Sequence, residues 1–207
     1  VNRVISLGQD RRWRRSALDV VALAPGIRIL DVATGTGDLA LMAKRRAPGA
    51  AVVGADLTPA MLRRAQAKAG DADVPWVLSD GLMLSFADDS FDLVTSAFMM
   101  RNVPDVGQAL REQVRVIRPG GRLVCLEITW PQRFPMTWLF ALYFSGLTPL
   151  LGSAMTGDRA AYTYLPQSVK AFLDPVAFGR EMRKAGLHAV TWVSKMMGTV
   201  AIHTGVK

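Results

Sequence analysis

The run Asp31-Val32-Ala33-Thr34-Gly35-Thr36-Gly37-Asp38 carries the first chemical signal in the chain. It follows an apolar stretch and opens a helical pattern, so Gly35 and Gly37 let backbone approach a ligand at the end of a strand. Gly35-x-Gly37-x-x-Ala40 also fits a dinucleotide fingerprint. Asp31 separates the two readings. A carboxylate at that strand end would repel a pyrophosphate but could hold the ammonium of an amino-acid moiety, which favours S-adenosylmethionine over a nicotinamide cofactor. Asp56 and Asp80 extend the pattern, Asp56 where it could accept both ribose hydroxyls and Asp80 where it could reach an adenine amine beside the backbone of Gly81. A lone Asp at a strand end is ordinarily a cap or turn residue. Its recurrence at successive strand ends beside a glycine loop points instead to a bound nucleoside. The expected cofactor set is Asp31, Gly35, Thr36, Gly37, Asp56, Asp80 and Gly81, and no metal is expected.

A repeated strand and helix unit must position these residues. Short Val-, Ile- and Leu-rich runs at Ile27 to Ala33, Ala51 to Asp56, Trp76 to Asp80, Phe91 to Ala97 and Arg122 to Thr129 alternate with helical patterns at Leu39 to Ala47, Pro59 to Lys68 and Val106 to Ile117. Pro48-Gly49 and Arg118-Pro119-Gly120-Gly121 read as turns before the second and fifth strands. A helix at Pro175 to Ala185 and closing strands at Ala189 to Lys195 and Val200 to His203, joined at Met197-Gly198-Thr199, complete the pattern. The fold expected is α/β, a Rossmann-like class I S-adenosylmethionine-dependent methyltransferase with a seven-stranded, mostly parallel sheet and an antiparallel closing strand. One domain over residues 1–207 is expected, with an apolar insertion or lid at about 130–173. Within it Met136 to Gly157 lacks charge, but Gly146, Pro149 and Gly152 interrupt it, so a flap or substrate wall is expected there and not a membrane span.

Composition agrees with a globular core: of 207 residues, 50% are hydrophobic and 20% charged, which excludes a disordered or fibrous chain. The single Cys125 can form neither an intramolecular disulfide nor a thiolate metal site, and a cytoplasmic protein is expected. The sequence begins with Val1 and not Met, so residues are expected ahead of it. The net charge of +8 raises nucleic acid as a partner. Against this, the place where exocyclic-amine methyltransferases carry Asn/Asp-Pro-Pro-aromatic reads Ala97-Phe98-Met99-Met100-Arg101-Asn102-Val103. Cys125 falls inside a predicted central strand, a poor place for a cytosine-attacking nucleophile.

The chain resembles the C-methyltransferases of menaquinone and ubiquinone biosynthesis along nearly its whole length. Asn2, Ile5, Ser6 and Trp13 stand at the spacing of that family's N-terminal signature. Arg115-Val116-Ile117-Arg118-Pro119-Gly120-Gly121-Arg122-Leu123 with Leu126-Glu127-Ile128-Thr129 matches its second signature, and Phe98 to Val103, Tyr162 to Ser168 and Gly198 to Lys207 resemble further segments. Asp10, Arg118, Thr129 and Ala97 depart from the family pattern, and Asp10 and Ala97 are left out of the site. The resemblance implies methyl transfer to a ring carbon of a prenylated quinol, demethylmenaquinol first and a ubiquinone precursor as the alternative. It also implies a Tyr-Asp segment ahead of Val1. Arg101 is the catalytic candidate, giving electrostatic help to a quinol oxygen or a proton-accepting water; a salt-bridged loop residue is the other reading of it. A methyltransferase-like domain that binds cofactor or RNA without catalysis stays open.

Arg11, Arg12, Arg14 and Arg15 surround Trp13, a cluster that could sit on anionic lipid with the indole at the interface, or simply form a solvated helix face. His188 and His203 are given no chemical role.

Overall fold

The computed structural model describes residues 8–132, 134–142 and 167–207. Seven strands form one sheet in the order β3-β2-β1-β4-β5-β7-β6. They are β1 (Arg28–Val32), β2 (Ala51–Asp56), β3 (Trp76–Leu78), β4 (Phe91–Ala97), β5 (Ile117–Ile128), β6 (His188–Lys195) and β7 (Val200–Val206). The pairs among β1 to β5 are parallel, and β7 runs antiparallel to both β5 and β6. Chain order reverses direction between β1 and β4, and such a switch opens a crevice at the carboxyl ends of these strands, beside the glycine loop.

Helices α1 (Asp10–Asp19), α2 (Asp38–Arg46), α3 (Pro59–Ala69), α4 (Val106–Val116), α5 (Met136–Leu142) and α6 (Pro175–Lys184) accompany the sheet. Local chemistry sets their starts. Asp105 accepts the Gln108 N–H ahead of α4 and Asp174 accepts the Ala177 N–H ahead of α6, each at 2.8 Å, while Pro59 and Pro175 supply preset first turns. One core joins Ala17 and Leu18 of α1 and Leu39 and Ala43 of α2 to Ile29, Val52, Leu93 and Val124 of the sheet. The other core packs Leu110 of α4 and Phe178 and Met182 of α6 against Leu30, Val94 and Leu123. Alternation along each strand sends its side chains to the two helical layers in turn.

Several boundaries differ from the sequence reading, for non-local reasons. β3 stops at Leu78 because Asp80 Oδ1 accepts the Leu82 N–H at 2.9 Å and turns the chain, so Asp80 lies in the loop beyond the strand. β5 begins at Ile117, not Arg122. Arg118 to Gly121 bulges out of the strand, since Ile117 pairs with Phe91 and the next pairing is Arg122 with Leu93. Gly120 N–H donates to the Lys207 carbonyl and Lys207 N–H to that of Gly121, so β7 runs on to Val206 and clamps the bulge. Among the described residues no helix is long and apolar enough to cross a membrane. Residues 143–166, the greater part of the expected lid, lie outside the described residues.

His188 is exposed, and starts β6 where a helix end was expected; His203 is buried in β7. The Nε2 of His203 lies 2.9 Å from the Pro175 carbonyl, its ring is stacked with Trp192 and edge-on to Phe178, and its Nδ1 has no partner. An acceptor carbonyl at Nε2 makes that nitrogen the donor of a neutral imidazole. Burial pushes the group down from 6.5 to about 4. The unfolded chain therefore binds one more proton than the folded one between these values, and the stability tied to neutral His203, present above 6.5, is lost as pH falls toward about 4. We expect His203→Phe to flatten the acid limb of a urea-unfolding series by about 3 kcal/mol relative to the parent. Parallel limbs in the two proteins would contradict the assignment.

Candidate active site

The glycine loop is held from beneath by Asp31. Its Oδ2 accepts the Thr34 hydroxyl at 2.6 Å and the Ala40 N–H at 3.2 Å, and its Oδ1 accepts the Thr95 hydroxyl at 2.8 Å. Only 2% of the residue is exposed. Burial pushes its carboxyl above the ordinary range, opposed by these donors and by the charge of Arg14. Asp31 thus ties β1 to the loop, to α2 and to β4. Its oxygens are turned inward to hold the loop.

Above this anchor the backbone is wound tightly. Ala33, Gly35 and Gly37 have φ of 53°, 57° and 75°. Left-handed backbone is tolerated by glycine and strained at Ala33. A Cβ on Gly37 would come within 2.4 Å of the Trp76 ring, whereas one on Gly35 would meet nothing within 4 Å. The two glycines therefore have different reasons: Gly37 lets the loop settle onto Trp76, and Gly35 leaves open space in front of the loop. Thr36 is bound to the loop's own helix start, its hydroxyl donating to Asp38 Oδ2 at 3.2 Å.

Asp56 reaches this loop from β2. Its Oδ2 accepts the Gly35 N–H and its Oδ1 the Thr58 N–H, both at 2.8 Å. Each oxygen keeps a further lone pair for an incoming hydroxyl. Asp80 spends one oxygen on Leu82, and its Oδ2 has no partner among the described residues. Gly81 is covered by Met99, whose Cε would lie 2.2 Å from an added Cβ. Leu57 and Met83, next to these carboxylates, are 63% and 74% exposed, an apolar pair that the sequence reading passed over. An exposed Leu after a strand-ending Asp was the signal available for it.

The opposite side is built around Phe98, another non-glycine residue with positive φ, at 62°. The Arg14 guanidinium lies 5.2 Å and that of Arg101 5.7 Å from its ring centroid, and Trp13 meets it edge-on at 6.3 Å. Trp13 and Arg14 therefore pack against Phe98, while Arg11, Arg12 and Arg15 of the same cluster are exposed. Arg101 donates from Nη1 to Glu127 Oε2 at 2.8 Å, while Glu127 Oε1 accepts the Met100 N–H at 2.6 Å. Side-chain exposures of 6% and 1% make this a buried ion pair, so the salt-bridged reading of Arg101 is the one its geometry displays. Burial raises the Glu127 carboxyl, and the Arg101 charge works against that shift. Glu127 was missed, although a lone charge inside Leu123-Val124-Cys125-Leu126-Glu127-Ile128 marks it. Cys125 is buried with its thiol pushed up to about 12, which suits a core residue and no nucleophile.

Removing one member of a buried pair strands the other charge, at a cost of about 3–5 kcal/mol, while replacing both with apolar groups is often neutral. Denaturant unfolding should show Glu127→Leu losing stability in that range and Arg101→Met/Glu127→Leu recovering most of it. A double variant no more stable than the single one would mean that Glu127 is held mainly by something other than Arg101.

Comparison with known proteins gives the family. Residues 1–207 match the ubiE/COQ5 methyltransferase family. A Thermus thermophilus protein named demethylmenaquinone methyltransferase is 47% identical over 207 residues, covering 99% of this chain and 94% of its own. A Paracoccus denitrificans protein named ubiquinone/menaquinone biosynthesis C-methyltransferase UbiE is 41% identical, covering 100% of this chain and 84% of its own. Among solved structures, a SAM-dependent methyltransferase from Aquifex aeolicus shares the fold with a TM-score of 0.67 at 17% identity, over 93% of this chain and 88% of its own. With a match along its entire length and near-complete relatives at this level of identity, the chain belongs to the ubiE/COQ5 methyltransferase family.

Proposed function

We propose that this protein transfers a methyl group from S-adenosylmethionine to a ring carbon of demethylmenaquinol, giving menaquinol. The observation that carries the reading is the Asp56 carboxylate fixed on the Gly35 N–H at the sheet's switch point, with open space in front of Gly35. A nucleoside laid across that edge would give its ribose hydroxyls to Asp56 and its adenine amine to the free oxygen of Asp80, near the Gly81 backbone, with Leu57 and Met83 on the ring faces. The open space at Gly35 is the cradle such a ligand needs, so the residues present fit S-adenosylmethionine. The relatives' names support the acceptor.

Bound S-adenosylmethionine supplies an electrophilic methyl group on a sulfonium. The protein's share is to orient the acceptor, exclude water and favour loss of a quinol proton, after which electron density at the ring carbon rises. Arg101, kept in place by Glu127 and lying against Phe98, contributes fixed positive charge toward the quinol oxygen. A guanidinium is a donor and not a base, so the part of Arg101 is electrostatic and the proton leaves to water. A prenylated acceptor is lipid-soluble, which supports peripheral contact with a membrane from the cytoplasmic side.

The test is transfer of labelled methyl to chemically reduced demethylmenaquinone in detergent, beside a methoxybenzoquinol ubiquinone precursor and an RNA. Label in menaquinone alone is expected. Preferential labelling of the ubiquinone precursor would shift the acceptor as the Paracoccus relative's name suggests, and labelling of RNA alone would overturn the reading. In calorimetry, Asp56→Ala should weaken S-adenosylmethionine about 10- to 100-fold, the worth of a charged hydrogen-bond acceptor. Unchanged affinity would remove Asp56 from the ribose site.

A further inference from the structure

A cavity of about 810 Å³ lies between α1 and α2, away from the glycine loop and lined chiefly by arginines: Arg11, Arg12 and Arg15 from α1, and Arg45 and Arg46 with Met42 from α2. Among the described residues no carboxylate lines it. Arg46 is neutralised by Asp19 and also donates to the Arg15 carbonyl at 3.2 Å. Arg11, Arg12, Arg15 and Arg45 are exposed and have no acidic partner among the described residues. Folding has thus gathered four uncompensated guanidinium groups on the walls of one concavity, with Arg11 and Arg15 one helical turn apart. Like charges at that spacing destabilise a helix pair. A bound anion reverses the sign of this interaction, and the planar guanidinium fork matches a phosphate bidentately.

We propose that this cavity binds the phosphate of an anionic phospholipid headgroup and so seats the protein on a membrane. The choice of lipid over free phosphate rests on the lipid-soluble acceptor proposed above. Size and shape support it too, because the cavity exceeds a single phosphate and opens on an outer helical face. RNA fits less well. The aromatic residue of this segment, Trp13, packs edge-on against Phe98 and is not among the residues that line the cavity, so the arginines have no aromatic platform between them. Arg14, which the sequence groups with its neighbours, takes no part, since it is buried against Asp10 and Phe98. The binding set comes from two helices distant in sequence, and only the fold unites it.

Cosedimentation of the full chain with phosphatidylcholine vesicles, with and without phosphatidylglycerol, tests the proposal. Binding to the anionic vesicles alone is expected. Arg11→Gln/Arg12→Gln/Arg45→Gln should weaken it about a hundredfold, whereas Arg63→Gln/Arg64→Gln/Arg180→Gln, which removes equal charge from other surfaces, should leave it nearly intact. Equal loss in both triple variants would reduce the effect to net charge and overturn the site. Capture of inorganic phosphate or glycerol phosphate without vesicle binding would overturn the lipid as ligand, and a cavity-dependent RNA shift without vesicle binding would replace it with nucleic acid. Both triples should melt near the parent temperature, because the substituted arginines are exposed; a cavity triple that melts early is replaced by Arg12→Glu alone, read the same way. Methyl transfer to the detergent-dispersed acceptor should be the same in all three proteins. Failure of the cavity proposal and failure of the acceptor reading therefore show up in different measurements.

Discussion

The Asp31 carboxylate is the interaction on which the site depends. Three donors from three elements converge on it: the Thr34 hydroxyl in the loop, the Ala40 N–H in α2 and the Thr95 hydroxyl in β4. Desolvation opposes placing an acid there, and a buried acceptor with its donors removed would be costly. In this arrangement both carboxylate oxygens are satisfied. That satisfaction balances the strain of a left-handed Ala33. The loop in turn directs the Gly35 N–H at Asp56, so one buried acid fixes the position of a second on the neighbouring strand.

A comparable device on the other side of the crevice uses a ring in place of a carboxylate. Phe98 takes Arg14 and Arg101 near its faces, and Nε of each arginine is buried without a hydrogen-bond partner. The negative face of an aromatic ring is a weak substitute for an acceptor. Glu127 completes the compensation for Arg101, and Asp10 stands 3.8 Å from Arg14. An apolar core in this place would be no less stable, so the retained charges bear on how this wall of the crevice is shaped and charged. Trp13 and Arg14 of α1 thereby join this wall, although the sequence of α1 reads as a surface segment rich in arginine.

What the sequence made legible was what local periodicity controls. β1, β2 and β4 are short apolar runs between turn residues, and their observed bounds fall within a residue or two of those expected. Asp56 could be placed at the end of β2 because a strand end is a local property, whereas Asp80 falls two residues beyond the end of β3. Asp31 shares that pattern, but the direction of its carboxylate was set by Thr95, sixty-four residues away. The bulge at Arg118 to Gly121 escaped for a similar reason, since Pro-Gly-Gly signals a turn and only pairing with Phe91 and Lys207 keeps Ile117 in the strand. Arg101 looked equally suited to solvent and to a pair, and the deciding partner, Glu127, lies on another strand.

The two ends of the sheet have opposite chemical character. At the amino ends of β1, β4 and β5, Asp92 pairs with Arg28 and Arg118, Asp88 with Arg115, and Asp89 with Lys207. Glu112 and Asp88 hold the Arg115 guanidinium above its ordinary range, so that end is tied by fixed charge. At the carboxyl ends, exposed large side chains are apolar instead: Leu57 after β2, Met83 after Asp80, Phe134 after β5, and Met196 and Met197 in the turn before β7. Both methionines of that turn have positive φ, a strained conformation for side chains left in solvent. Exposed apolar residues are unremarkable when scattered, but their collection at one end marks a contact surface. The end that carries the glycine loop is the one at which an acceptor with a lipid-soluble tail would enter, and burying that tail there would offset the exposure of these side chains. The charged end, by contrast, has nothing to offer such a ligand. The polarity of the sheet therefore supports the same approach direction for the acceptor that the switch point sets for the cofactor.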